Sequence, residues 1–380
     1  MIVAAFSAAG SEGDRIMSDA NFPDARIMQL HEYAEKLQLK DYQALNERLL
    51  PVFKGRDLGE LLLSRAQLKL LACDESFIDD LEEADGLLQG PSRLPSFFAG
   101  FRPHSPNTFF LFPPSPGAVA RFLTILHSSR DLFHRYCGDM GRAMAEQVES
   151  EILYFCGRFE DALALAEPAY RKFAREENYV MAIFAGYTLL RCRLATGGDA
   201  CRTITQIIGW ARKFPETCYP RMYDVIRVWA NATTGWSGDT SRYHTMPTGT
   251  VFPALEDRAD AIEHGVSRLA LTEEPFAEMQ RLNNNDYHTM RGFYIEIFNA
   301  MAQFKFQMKQ AAQTSFHEIY ETARNTGLIT PLMEYGRQIV PLLRHVQEKD
   351  CEGKYDAAWL EKLIDMADQY EKRLQLFREG

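Results

Sequence analysis

The sequence predicts an all-α protein, a tetratricopeptide-like helical-repeat solenoid. Three observations predict it. Apolar residues recur at spacings of three and four, and strand-like alternation is nearly absent. Short polar or Gly-containing turns separate the periodic stretches. Two of these turns, Gly157-Arg158-Phe159 and Gly197-Gly198-Asp199, lie forty residues apart (157 to 197), a spacing of the helical-repeat kind.

Residues 1–22 read as loosely ordered, with Gly10 to Gly13 as a break. Pro23 then opens a helix, because its fixed φ suits the first helical turn. Ile27, Leu30, Tyr33, Ala34 and Leu37 share one face of it. Further helices are predicted near Asp41–Phe53, Leu58–Ala72 and Phe77–Leu88. Residues 89–117 differ. Their prolines remove donors and block helix interiors, so the segment is irregular. It also carries Phe97, Phe98, Phe101, Phe109, Phe110 and Phe112, which predicts a packed loop rather than a flexible linker.

Helices resume at Ala118. Met144–Cys156, Ala162–Arg175, Met181–Thr196 and Cys201–Phe214 form the clearest repeat. Ala162, Ala166 and Ala169 are small enough to let a neighbouring helix approach closely. Pro168 sits inside the second of these helices, where it costs roughly 3 kcal/mol or introduces a kink. The helical-repeat region is bounded at 23–235, and 236–256 reads as an irregular connection. A C-terminal helical-repeat region spans 257–380, with helices near Ala254–His264, Phe276–Leu282 and Asp286–Met308. Its last part reads as a helix from Lys309 to Arg324, a stop at Asn325-Thr326-Gly327, a stretch from Leu328 to Gly336, a second helix through Val346 and a capping helix around Trp359.

At 380 residues, with 46% apolar and 12% aromatic residues, the chain has ample material for a core. Its net charge of −10 opposes binding to a phosphate backbone, which is recognised through Lys and Arg. No direct nucleic-acid contact is expected. The seven cysteines are scattered and form no C-x-x-C pair, as expected of reduced thiols in a cytoplasmic protein. The apolar start, Ile2 to Phe6, lacks the form of a signal peptide. No run approaches the ~18 apolar residues of a transmembrane helix, so no membrane partner is expected.

Little catalytic chemistry is legible. Asp79-Asp80-Leu81-Glu82-Glu83 superficially resembles the magnesium motif of helical terpene cyclases. The second motif those enzymes need begins at Asn285-Asp286, but position 293 is Phe where the last carboxylate ligand belongs. The plainer reading is a solvated acidic helix face. No phosphate-binding glycine loop, nucleophile elbow, zincin or EF-hand spacing occurs. His127 and His134 share a helix face without a further ligand at metal spacing. The chain is read as a non-enzyme without a cofactor.

A binding groove is the alternative to a catalytic site. Tyr187 and Arg191, Tyr223 and Arg227, and the set Tyr287, Arg291 and Tyr294 place aromatic and guanidinium groups about one helical turn apart. Such pairs suit a polyol, sugar or peptide through stacking and multidentate hydrogen bonds. The same pairs also suit ordinary helix packing with snorkelling arginines. Trp210, Trp229 and Trp236 read as core or rim.

The terminal block carries a family resemblance. Ala311 to Arg324, Gly327-Leu-Ile-Thr-Pro331-Leu-Met-Glu-Tyr-Gly336 and Ile339 to Leu343 are similar to the end of the sensor region of MalT-like LuxR-family regulators. Trp359-Leu360 and the helix to Phe377 resemble their last sensor helix. Leu58 to Leu63, Asn107 to Phe112 and Gly157 to Ala162 follow in the matching order. The resemblance implies a signal-sensing and protein-interaction arm in bacterial transcription regulation. Its expected partners are an unidentified small-molecule inducer or peptide and proteins docked on the solenoid. Two features of that family have no counterpart in these residues, a P-loop before residue 23 and a DNA-binding domain after Phe377. The alternative is a stand-alone scaffold that binds a peptide or partner protein.

Overall fold

The computed structural model describes residues 24–35, 39–94, 109, 112–213, 226, 290–350 and 353–379. All regular structure among them is helical, and the chain is all-α. The expected loose start (1–22), the irregular connection (236–256) and the helices near 254–264 and 276–282 lie outside the described residues.

The first helix, α1 (Ala25–Glu35), begins beside Asp24, whose carboxylate accepts the Arg26 N–H at 2.8 Å. It packs on α2 (Leu39–Leu49). A closer hairpin follows, α3 (Gly55–Leu71) with α4 (Phe77–Leu87). Residues just beyond α4 are tied back to α3 by a buried carboxylate. Glu60 accepts from Ser92 Oγ at 2.5 Å and from the Arg93 backbone N–H at 2.9 Å. In the aromatic segment, Phe109 and Phe112 are both buried and stack at 4.5 Å. The Phe109 N–H donates to Glu151 at 2.9 Å, so this backbone is hydrogen-bonded inside the protein.

Helical structure then runs over α5 (Ala118–Phe155), which is bent back on itself at Gly138 (φ 64°, ψ −162°). Arg130 Nε bonds Glu149 at 2.9 Å, although nineteen residues of straight helix would span about 28 Å. Only a reversal brings the two side chains together. Helix α6 (Phe159–Arg175) buries Ala162, Ala166 and Ala169 on one face. It continues through Pro168 without ending there. Pro168 and Ala164 are exposed on the opposite face, so the carbonyl that the proline leaves unpaired is on the solvent side. Helix α7 (Tyr179–Thr196) is apolar on every side, and Val180 to Leu190 are all buried. It packs on α6, on α5 and on α8 (Cys201–Lys213).

The C-terminal part comprises α9 (Met290–Lys305) and α10 (Lys309–Thr326), which form a hairpin. The stretch after the stop forms α11 (Thr330–Met333) and a 3-10 turn (Gly336–Gln338), and the expected second helix is α12 (Val340–Lys349). Pro331 and Pro341 stand at the starts of α11 and α12, because each suits a helix start and neither suits an interior. The last helix, α13 (Ala357–Glu379), buries Leu360, Leu363, Ile364, Ala367, Tyr370 and Leu374 in one stripe. It packs on α11, α12, the 3-10 turn and α7.

One junction joins the early and late helices. The carbonyls of Tyr154 and Phe155 lie at the end of α5, where the first already accepts the Gly157 N–H at 2.9 Å. Thr330 Oγ1 donates to the first at 2.5 Å and the Ile329 N–H to the second at 3.1 Å. Gly157, just beyond, has φ +74°, and a Cβ there would lie 2.7 Å from Ile329 Cγ2. Gly157→Ala therefore combines a left-handed alanine with a clash. Urea unfolding should show a loss of roughly 1–3 kcal/mol, and an unchanged midpoint would refute this role for the turn.

Candidate functional site

Helix α7 has no polar face, yet it carries Arg191, which is only 2% exposed. A buried guanidinium needs a partner, because leaving it unpaired costs several kcal/mol. The partner is Glu334, which ends α11 and lies 143 positions further along the chain. Arg191 Nη2 donates to Glu334 Oε1 at 2.7 Å and Nε donates to the same oxygen at 3.1 Å. The Tyr154 hydroxyl of α5 also donates to Oε1. The Tyr294 hydroxyl of α9 donates to Oε2 at 2.5 Å. Aromatic faces complete the setting, with the guanidinium carbon 4.5 Å from the Tyr154 ring centre and 5.1 Å from that of Tyr187.

Burial, reinforced by the Glu334 charge, pushes the Tyr154 and Tyr294 phenols well above their usual range. Both remain donors at any ordinary pH. Burial works against the charge of Arg191, but Glu334 and the oxygens of Tyr154, Tyr187 and Tyr294 together outweigh it and hold the guanidinium protonated. The result is a closed joint in which one carboxylate gathers α5, α7 and α9.

Of the residues singled out in the sequence, Tyr187, Arg191 and Tyr294 come together here. They are 1%, 2% and 2% exposed, so they meet one another in the interior rather than along an open groove. Tyr223, Arg227 and Tyr287 lie outside the described residues. Arg291 belongs to the first turn of α9, and its side chain lies outside them too. Trp210 is half-buried against Tyr170 and Tyr179, while Trp229 and Trp236 fall outside the described residues. Sequence reasoning missed Glu334 and Tyr154 as partners. A signal existed for Glu334, a lone carboxylate within Leu328 to Tyr335, an otherwise uncharged run.

The acidic motif of α4 corrects one expectation. Asp80 is not on a solvated face. It is buried and paired with Arg65 Nε at 2.6 Å and Lys69 Nζ at 2.9 Å, while Asp79 is exposed. Asp286 lies outside the described residues. Among the described residues, no group of three or more His, Cys, Asp or Glu side chains is placed to hold a metal ion. Burial pushes the Cys137 and Cys156 thiols up to about 12, which leaves little thiolate at neutral pH. No described helix is long and apolar enough to cross a membrane.

Beside the joint lies an open cleft of about 590 Å³. Pro113, Pro114 and Ser115 form one wall, α9 contributes Phe293 and Glu296, and α10 contributes Glu318 and Thr322. Two residues of helix turn a side chain by about 200°, so α9 sends Tyr294 into the joint and Glu296 into the cleft on nearly opposite sides. Burial, and then the Glu318 charge, push Glu296 up to about 7. Near neutral pH its carboxyl both donates and accepts, which suits a hydroxyl, an amide or an ammonium group.

No protein-family model matches this chain, and no curated protein matches it.

Removing either member of the buried pair should cost about 3–5 kcal/mol. Arg191→Met and Glu334→Met each meet that condition, and the double variant should recover part of the loss because no charge remains stranded. Additive losses in a denaturation cycle would refute the coupling. Glu296 gives a pH signature. Its folded pKa is raised above the unfolded value, so its contribution to stability is fully present below the unfolded pKa and is lost as pH rises through about 7. Glu296→Gln should therefore gain stability over the parent at pH 8, by at most roughly 3 kcal/mol, and the gain should vanish near pH 4. A difference independent of pH would refute the assignment.

Proposed function

We propose that this chain is the signal-sensing and protein-interaction arm of a bacterial LuxR-family transcriptional regulator, built as a tetratricopeptide-like solenoid of MalT-like type. One observation carries the reading. A single helix, α9, places Glu296 in an open cleft and Tyr294 in the buried joint that links early and late helices. The terminal block that resembles the family is also the block that supplies Glu334. DNA contact and ATP binding are assigned to no residue of this arm.

Sensing then needs a ligand that binds two arrangements of the arm unequally. An inducer or peptide in the cleft touches α9 and shifts the Tyr294 hydroxyl relative to Glu334. Allosteric couplings of about 1–3 kcal/mol are typical, and a change in one buried hydrogen bond to a charged group is of that size. The closed interior of the joint favours a second reading, a rigid scaffold that binds a partner protein and senses nothing small.

A thermal-shift screen of sugars, peptides and small metabolites separates the two. A ligand at a hundredfold its Kd should stabilise the parent by about 2.7 kcal/mol. That stabilisation should weaken in Glu296→Gln. If no ligand class stabilises the protein, the sensing reading fails and the scaffold reading stands.

A further inference from the structure

We infer that the cleft between α6, α7 and α8 is a binding site for a small phosphoryl-bearing ligand with a planar ring. The cleft has a volume of about 300 Å³, at the lower end of the range for small-molecule sites. Four arginines line it from three helices. Arg171 and Arg175 come from α6, Arg193 from α7 and Arg202 from α8. Among the described residues one carboxylate, Glu167, lines the same cleft. This concentration of positive charge stands in a chain whose net charge is −10.

The pairing pattern leaves cations available. Glu167 is shared between Arg171 at 2.5 Å and Arg193 at 3.4 Å. Arg175 and Arg202 have no carboxylate partner among the described residues. Arg175 sits in the last turn of α6, where a cation complements the helix dipole. Arg202 does the opposite. It is the second residue of α8, where the dipole disfavours a positive charge. Asp199 caps this end by accepting the Arg202 backbone N–H at 3.2 Å, but no ion pair joins the two side chains. A bound anion would offset that placement, since both the helix start and the guanidinium favour it.

The geometry also selects among anions. Forked guanidiniums from several directions suit a dianion with three oxygens better than a single carboxylate. Tyr170 and Trp210 line the same cleft, with ring centres 5.7 Å apart. Trp210 is half-buried, which leaves part of its surface for a planar group. Arg193 is held in place at the cleft wall through Nη1, which donates to Thr203 Oγ1 at 2.8 Å and to the Asp199 carbonyl at 3.2 Å.

The site goes beyond the sensing reading and is tested apart from it, because its readout involves neither Glu296 nor Glu334. Isothermal titration calorimetry compares adenosine monophosphate, inorganic phosphate, adenosine and a hexaglutamate peptide on the full chain. Adenosine monophosphate should bind, inorganic phosphate should bind more weakly, and adenosine should not bind. Arg175→Glu with Arg202→Glu should weaken binding about tenfold or more. Both side chains are exposed, so the melting temperature should hold. Arg175→Lys with Arg202→Lys keeps the charge but loses the fork, and should weaken binding less. The inference is overturned if neither phosphate-bearing probe binds, or if the charge-reversed protein binds adenosine monophosphate as well as the parent does. Tighter binding of hexaglutamate than of adenosine monophosphate also overturns it, because the groove then takes an acidic peptide.

Discussion

A buried positive charge in an apolar helix constrains this structure more than any other single feature. Arg191 has water on no side, so the fold must bring a carboxylate to it. Glu334 arrives from far along the chain and binds Tyr154 and Tyr294 in the same act. The positions of α5, α7, α9 and α11 are therefore set jointly rather than pairwise. The backbone agrees with the side chains, since Thr330 and Ile329 donate to the carbonyls of Tyr154 and Phe155 at the end of α5. Hydrophobic burial supplies most of the driving force for such a core, but it is non-directional. The charged network supplies direction.

The same device recurs on a smaller scale. Glu60 secures residues 92 and 93, Glu151 secures Phe109, and Glu149 holds the two limbs of α5 together through Arg130. Asp80 links α4 to α3 through Arg65 and Lys69. An acidic composition thus hides several carboxylates that never face solvent as free charges. Buried and satisfied, they specify geometry. Against this background the charges at the two clefts stand out. Glu296 faces a cleft beside Glu318, and Arg175 and Arg202, without a carboxylate partner among the described residues, face the cleft that Glu167 lines. Charges left without internal partners are the ones available to a ligand.

Much of the helical pattern was legible in the chain. Periodicity located α3, α4, α7 and α8 to within a few residues, because each begins or ends at a recognisable turn or capping signal. The reversal at Gly138 was not legible. Apolar periodicity continues across it, and a single glycine inside a helical pattern is usually tolerated. Pro168 does not end its helix, because it lies on the exposed face of α6. The candidate site was legible in part. The one-turn spacing of Tyr187 and Arg191 correctly placed them on one face of α7, and the spacing could not say that this face is covered.

Residue order and type were sufficient for the all-helical class and the turns at Gly157 and Gly197. These are local matters of dihedral preference and apolar spacing. Tertiary structure alone decided which charges meet. Arg191 and Glu334 lie on separate elements, and no local rule pairs them. The same holds for the two clefts, where α9 with α10 and α6 with α8 bring together side chains that no local spacing relates. Partnership between buried charges follows from distance and desolvation in the folded protein, and neither quantity exists in the linear sequence.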